Sequence, residues 1–352
     1  MATKTVLTLV PQVDCIANKL SGFGRLLTDG GKAVIGATTE VIDGKGLVIA
    51  SAKTDSTGTF IVVGGELGSS GKFQAFFGGT AALAPSQSRK FNVVEFCARF
   101  PVVVGKSVFA YKRNPDVPEQ WGPILNLAES LAQNNAIRGP EFSIFIQAGR
   151  FDGWRPLTKS GEIIGLGAKK KPAWDLVACA LIGPGSGLTV RVTNMTFGAR
   201  FGSGESSFFD RRSPAIGGKP ADVTLEDCII EVDPGNKMTA YGQTQADRIT
   251  MVNCEANGLM EFQNLLLKMV AVNFNGLNLS GAQLLAMING GDFQGTINLG
   301  SGGTGGTSVF TSCPGRAGTV VNVDASHSYL RDASSNAAVQ NGVNGSPGGG
   351  SF

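Results

Sequence analysis

Two carboxylates, Glu205 and Asp210, lie in the stretch from Arg200 to Pro220, with Phe208 and Phe209 between them and Arg211 and Arg212 directly after. Paired acids are what glycosidic bond hydrolysis requires. One protonates the leaving oxygen, and the other acts as nucleophile at a spacing of about 5 Å or as base for water at about 6.5–9.5 Å. The two phenylalanines could stack on sugar rings or plug an interface, the interface being preferred, and the two arginines complete a candidate binding surface. The bland alternative is a solvated loop. Further acids follow at Glu226, Asp227, Glu231, Asp233, Asp247 and Glu255.

Other chemistry has less to work with. His327 is the one histidine, so a histidine acid or base within the central region is excluded. Cys15, Cys97, Cys179, Cys228, Cys254 and Cys313 lie far apart without a CxxC pair, which argues for free buried thiols over structural zinc. Glu226 and Asp227 are adjacent, and consecutive strand residues point to opposite faces, so they do not make a calcium site unaided. We expect no metal and no cofactor. Lys169, Lys170 and Lys171 lack the order of a phosphate loop and read as a solvated loop, with an acidic glycan or a neighbouring subunit as other contacts. A net charge of +3, without a basic stripe interleaved with aromatics, gives nucleic acid binding little support. No secretory leader and no run of 18 apolar residues is present, which predicts assembly in a cytoplasm without membrane insertion.

The element that must position these residues is a repeat. Segments beginning LTVRVTNMTF at Leu188, VTLEDCIIEV at Val223, ITMVNCEANG at Ile249, LKMVAVNFNG at Leu267 and LAMINGGDFQ at Leu285 each alternate apolar residues into an Asn or Asp and then turn. The aligned positions are Asn194, Asp227, Asn253, Asn273 and Asn289. Recurring strand-and-turn units read as a solenoid whose coils supply one another's missing core. Cys228 and Cys254 follow the aligned acid or amide, with Met195 and Phe274 in the same place, so an inward thiol and apolar ladder is expected.

Around this repeat the chain divides into four parts. Residues 1–112 hold short β-runs separated by Asp29-Gly30-Gly31, Asp43-Gly44 and Gly64-Gly65 turns, which predicts a small antiparallel sandwich-like domain for attachment or oligomerisation. Residues 113–119 read as a Pro-containing linker. Residues 120–300 open with an amphipathic helix, Pro123 in its first turn and Ile124, Leu127, Ala128 and Leu131 on one stripe. Trp121, Trp154 and Trp174 fall near it, where packing at that end of the solenoid accounts for them. Residues 301–352 are rich in Gly and Ser, with short β-runs at Ser308–Thr311 and Thr319–Val323. Fifty glycines and a charged fraction of 16% suit tight β-corners.

A helix, a strand ending in AGRFDG at Ala148, a strand running into IGPGSG at Ile182, and then LTVRVTNMTF together resemble the opening of the pectin-lyase-like right-handed β-helix superfamily. The resemblance covers about half the chain. It implies a mainly β fold: a right-handed parallel β-helix capped by the N-terminal helix. Polygalacturonase-like members carry Asn-x-Asp, Asp-Asp, His-Gly and Arg-x-Lys motifs that are not found in order here, which argues against that activity. The layout is similar to phage tailspikes, fibres and capsid decoration proteins, which implies a homotrimer on the surface of a virion, in contact with other virion proteins and with host surface polysaccharide. A polysaccharide hydrolase or lyase is the alternative function. A secreted adhesin is a third reading, and the missing leader speaks against it.

Overall fold

The computed structural model describes residues 2–14, 18–67, 70–92, 101–104, 141–146, 150–153, 157, 160–165, 170–176, 180–183, 187–200, 206–212, 219–299, 307–311, 320–323, 328–331 and 339–341. All regular elements among them are β-strands. The expected capping helix, the linker 113–119, Trp121, Trp154, Lys169, Glu205 and His327 lie outside the described residues.

The N-terminal strands form two antiparallel sheets. One joins Thr5–Leu7, Val10–Asp14, Lys19–Thr28 and Thr59–Glu66, and the other joins Thr38–Asp43, Val48–Lys53, Lys72–Phe77, Ser86–Gln87 and Phe91–Asn92. Alternation decides which side faces inward: Phe60 and Val62 are buried, whereas Ile61 and Val63 on the same strand are exposed. Leu20, Leu26, Phe60 and Val62 from the first sheet meet Val41, Phe73, Phe77 and Phe91 from the second in one core. Asp43-Gly44 turns between two antiparallel strands as expected, whereas Gly64-Gly65, expected as a turn, lies within the strand Thr59–Glu66.

The rest of the described chain forms two long parallel sheets. A ten-stranded sheet runs through Pro101–Val104, Glu141–Ile146, Ser160–Gly165, Thr189–Thr193, Asp222–Glu226, Arg248–Val252, Leu266–Val270, Leu285–Asn289, Thr307–Thr311 and Ser328–Arg331. From Glu141–Ile146 onward, between successive strands of this sheet the chain crosses to a thirteen-stranded sheet and returns. On that sheet one line of strands is Arg150–Gly153, Ala173–Leu176, Thr196–Ala199, Ile229–Val232 and Glu255–Asn257. A second line is Ala180–Ile182, Ser206–Asp210, Met238–Tyr241 and Met260–Gln263. The long strand Asn273–Ser280 joins both lines, and Phe293–Leu299, Val320–Val323 and Val339–Asn341 extend it. Pro101–Val104 pairs in parallel with Glu141–Ile146, so a strand expected in the N-terminal domain belongs to this ladder. Strands beyond Gly300 continue the ladder as well.

Register stacks like on like. Ile163, Val192, Leu225, Met251, Met269, Ile288 and Phe310 pair in succession through the ten-stranded sheet, and each is at most 1% exposed. Trp174, Phe197, Ile230, Ala256, Phe274 and Phe293 form the matching column opposite, where small Ala256 interrupts a run of large side chains. Each fully buried large side chain contributes about 1.5–3 kcal/mol relative to exposure. Continuous columns of this kind set the register, because a one-residue slip would turn every column outward.

A turn column lies between the sheets. Asn194, Asp227 and Asn253 occupy it with φ of 58°, 52° and 58°, in the left-handed region that short polar side chains tolerate best. The next members are Ala271 (φ 53°) and Gly290 (φ 70°), not the expected Asn273 and Asn289. Asn289 pairs with Val270 one residue before the turn, because the buried columns fix the register whatever residue meets the turn. Val272 accordingly replaces Phe274 as the inward residue after Met195, Cys228 and Cys254.

Both thiols are buried. Cys228 Sγ lies 3.3 Å from the Glu226 carbonyl oxygen and 3.6 Å from that of Val192, and Cys254 Sγ lies 3.4 Å from that of Val252 and 3.5 Å from that of Leu225. Burial first, and then neighbouring Cys228, push the Cys254 thiol well above its usual range, so it stays protonated. Replacing Cys228 with Asp should bury a carboxyl among these carbonyls and cost about 3–5 kcal/mol. Thermal unfolding measures it, and an unchanged melting temperature would place Cys228 outside the core.

Candidate functional site

The stretch holding the sequence-predicted residues divides sharply. Phe208 and Phe209 are both fully buried, although they are consecutive in the strand Ser206–Asp210. A register shift against Met238–Tyr241 between Ser207 and Asp210 accounts for this, because a bulge lets two neighbours turn the same way. Phe208 meets Phe197 edge-on with centroids 5.8 Å apart, and Phe209 pairs with Ile182. The expected aromatic contact surface is thus core. Arg211 is also buried, its Nε 2.9 Å from Asp247 Oδ1 and its Nη1 donating to the Lys219 carbonyl oxygen at 2.8 Å. Asp247 in turn accepts from the amides of Ala221 and Gln243 at 2.9 and 2.8 Å. Arg211 therefore ties a turn together and presents no free guanidinium to a ligand.

Asp210 and Arg212 remain at the surface, facing each other. Arg212 Nε donates to Asp210 Oδ1 and Oδ2 at 3.0 and 3.1 Å, and its guanidinium lies over the Tyr241 ring at 3.7 Å. Burial alone would raise the Asp210 carboxyl, but the hydrogen bonds and charge of Arg212 more than offset it and hold the group below the usual carboxylate range. A carboxylate held charged in this way accepts hydrogen bonds and does not serve as an acid near neutral pH.

Beside this pair runs an open cavity of ≈720 Å³ on the outside of the ladder, with Arg212, Asp233, Asn236, Lys237, Asn257 and Asn275 on its walls. Lys237 Nζ lies 3.1 Å from both Glu261 carboxylate oxygens and 3.1 Å from the Tyr241 hydroxyl, which itself donates to Glu261. Burial pushes the Glu261 carboxyl up, and the bonds from Tyr241 and Lys237 bring it net below its ordinary value. On the neighbouring line of strands Arg200 answers three acids at once: Asp175 at 3.0 Å, Asp233 at 3.0 Å, and Glu231. The acids around the cavity are therefore engaged by cations, three of them by the same guanidinium.

A second cluster joins the N-terminal module to the ladder. Asp227, 1% exposed, accepts from Lys171 Nζ at 2.8 Å and from Arg25 Nη1 at 3.1 Å. Lys171 also donates to the Asp227 carbonyl and to Asn194 Oδ1, both at 2.7 Å. The expected solvated lysine is thus a cross-link between turns, while Lys170 beside it is exposed. Arg89 reaches Glu162 at 2.7 Å and Glu226 at 3.5 Å, and Arg191 pairs with Glu226 from the ladder itself. Further along, Gly291 N donates to the Asp29 carbonyl at 2.6 Å, and a Cβ on Gly290 would fall 2.2 Å from that oxygen. Side chains are absent from the turn column where the module's backbone crosses it. Arg25 and Arg89 were missed in the sequence because their partners lie more than seventy positions away, beyond any local spacing rule.

Among the described residues no three metal-ligating side chains come together, and no helix is long and apolar enough to cross a membrane. Comparison with protein-family models, curated proteins and solved structures finds no match.

Asp210 and Glu261 have folded carboxyls below their ordinary values, so their contribution is present above the unfolded pKa, near 4, and is lost as pH falls through the folded values. Asp222, whose carboxyl burial raises against the lowering charges of Arg248 and Arg191, contributes in the opposite sense: its contribution is present below the ordinary carboxylate range and is lost as pH rises through its raised folded value. Melting temperature should fall on acidification below pH 4, less steeply in Arg212→Ala. Asp222→Asn should melt at or above the wild type at pH 7. A lower melting temperature for Asp222→Asn would overturn the assignment of Asp222 as a half-buried charge that costs stability at neutral pH.

Proposed function

We propose that the two parallel sheets are the walls of a right-handed parallel β-helix, and that the protein is a non-catalytic structural component of a bacteriophage virion surface. The handedness follows from the rule that parallel crossover connections are right-handed in about 98% of cases. The repeated visit to one strand of the first sheet and then to two lines of the second is the order a three-sided coil requires. In this reading the helix caps the solenoid's N-terminal end, and the protein works without metal or cofactor. It assembles in the host cytoplasm as a homotrimer and contacts other virion proteins.

The observation that carries the non-catalytic reading is the state of Asp210, fixed by a two-pronged bond to Arg212. Acid/base hydrolysis needs one carboxyl whose proton is available at working pH and a second placed across the scissile bond. Asp175, Glu226, Asp227, Glu231, Asp233, Asp247 and Glu261 are instead all held in ion pairs, with Asp175, Glu231 and Asp233 sharing Arg200. A stiff body laced with such pairs suits a particle exterior, and three-fold closure would bury one face of each copy. The open outer cavity, with amide and charged walls beside Tyr241, is where host surface polysaccharide would be contacted.

One chain is 36.4 kDa. Sedimentation equilibrium should return three times that mass, about 109 kDa. Incubation with host polysaccharide should release no reducing ends, and Asp210→Ala should assemble as the wild type does. A monomer would remove the assembly part of this reading. Depolymerase activity abolished by Asp210→Ala would replace it with the hydrolase or lyase reading.

A further inference from the structure

We propose a separate ligand site at the seam between the N-terminal module and the ladder, a cavity of ≈390 Å³ that binds an oxyanion group such as a phosphate, sulfate or carboxylate. It does not rest on the virion reading. Phe23, Arg25, Thr57 and Thr59 contribute from the module, and Lys170, Lys171 and Thr196 from the ladder. The volume falls in the range of about 300–1,000 Å³ that small-ligand pockets occupy.

What is left unspent on these walls is donor capacity. Asp227 lies buried and already answers Arg25 and Lys171. Glu231, the other acid on the wall, is bound by Arg200. Asp55, close enough to Arg25 to feel its charge, is taken up by the amides of Thr57 and Thr59 at 2.8 and 3.0 Å and by the Thr57 hydroxyl at 2.7 Å. Lys171 spends its ammonium on three acceptors.

Arg25, by contrast, uses only Nη1, leaving Nε and Nη2 without a hydrogen bond among the described residues while its side chain is 30% exposed. Lys170 is exposed and makes no hydrogen bond or ion pair among the described residues. A cavity with a half-used guanidinium, a free ammonium and carboxylates already matched selects an acceptor. Charge-assisted bonds from a guanidinium edge and an ammonium are what hold phosphate, sulfate or carboxylate groups. A ligand held by Arg25 on one side and Lys170 on the other would also tie the module to the ladder, so binding should stabilise the whole chain by linkage.

The test uses the full chain, with melting temperature and calorimetric titration recorded in inorganic phosphate, in glucuronic acid, and in sodium chloride at matched ionic strength. Phosphate or glucuronate should raise the melting temperature above the chloride control. Lys170→Glu, a change at an exposed and unbonded position, should leave the fold intact and weaken binding about tenfold or more. Arg25→Lys keeps a charge opposite Asp227 but removes the second N–H edge, and should weaken binding in the same direction. Tighter binding of glucuronate would assign the oxyanion to an acidic sugar, and tighter binding of phosphate to a phosphoryl group. No anion-specific shift, or equal binding by Lys170→Glu, would overturn the site.

Discussion

Asp227 is the point on which the described structure turns. Removing a carboxylate from water is costly by several kcal/mol unless cations and hydrogen bonds replace the lost solvation. Asp227 has that replacement from two sources, Lys171 on the ladder and Arg25 on the N-terminal module. The same residue holds a left-handed turn between the sheets, at φ 52°. One side chain therefore ties local turn geometry, turn-to-turn stacking and module docking together. Loss of either cation would leave the buried carboxylate with one partner in place of two, and loss of Arg25 would cut its link to the module, which is why the joint between module and ladder is expected to be cooperative.

The docking surface is written in two ways along the turn column. Where the column carries a carboxylate, the module brings a guanidinium. Where the module's backbone at Asp29 crosses, the column has Gly290 and Gly291, because a side chain there would collide with the Asp29 carbonyl or with Val272. Arg89 repeats the electrostatic arrangement on Glu162 and Glu226. The charged fraction is only 16%, and among the described residues the acids of the ladder's turns and outer face are largely engaged in such fixed pairs. Arg25 and Lys170, both with unspent donors among the described residues, line one cavity.

Much of the ladder was legible in the sequence because its signal is local. Alternating apolar residues, an Asn or Asp, and a thiol one position later placed Asn194, Asp227, Asn253, Cys228 and Cys254 correctly. The column became illegible at Ala271 and Gly290, where the stacked core keeps the register and no polar residue marks the turn. Phe208 and Phe209 looked like surface aromatics because a bulge cannot be seen in a two-residue periodicity. Lys171 looked solvated, and Arg25 and Arg89 carried no signal, because their partners are brought near only by the fold. Glu205 and the expected helix lie beyond the described residues, so the paired-acid geometry that opened the functional question rests on Asp210 alone.

Differential scanning calorimetry of the full chain and of Asp227→Ala tests the central claim most directly. If Asp227 binds the module to the ladder, the wild type should unfold in one cooperative transition. The variant should then be destabilised by about 3–5 kcal/mol, as expected for a broken buried ion pair, or split into two transitions. Two separate transitions in the wild type, neither of them moved by Asp227→Ala, would contradict the account.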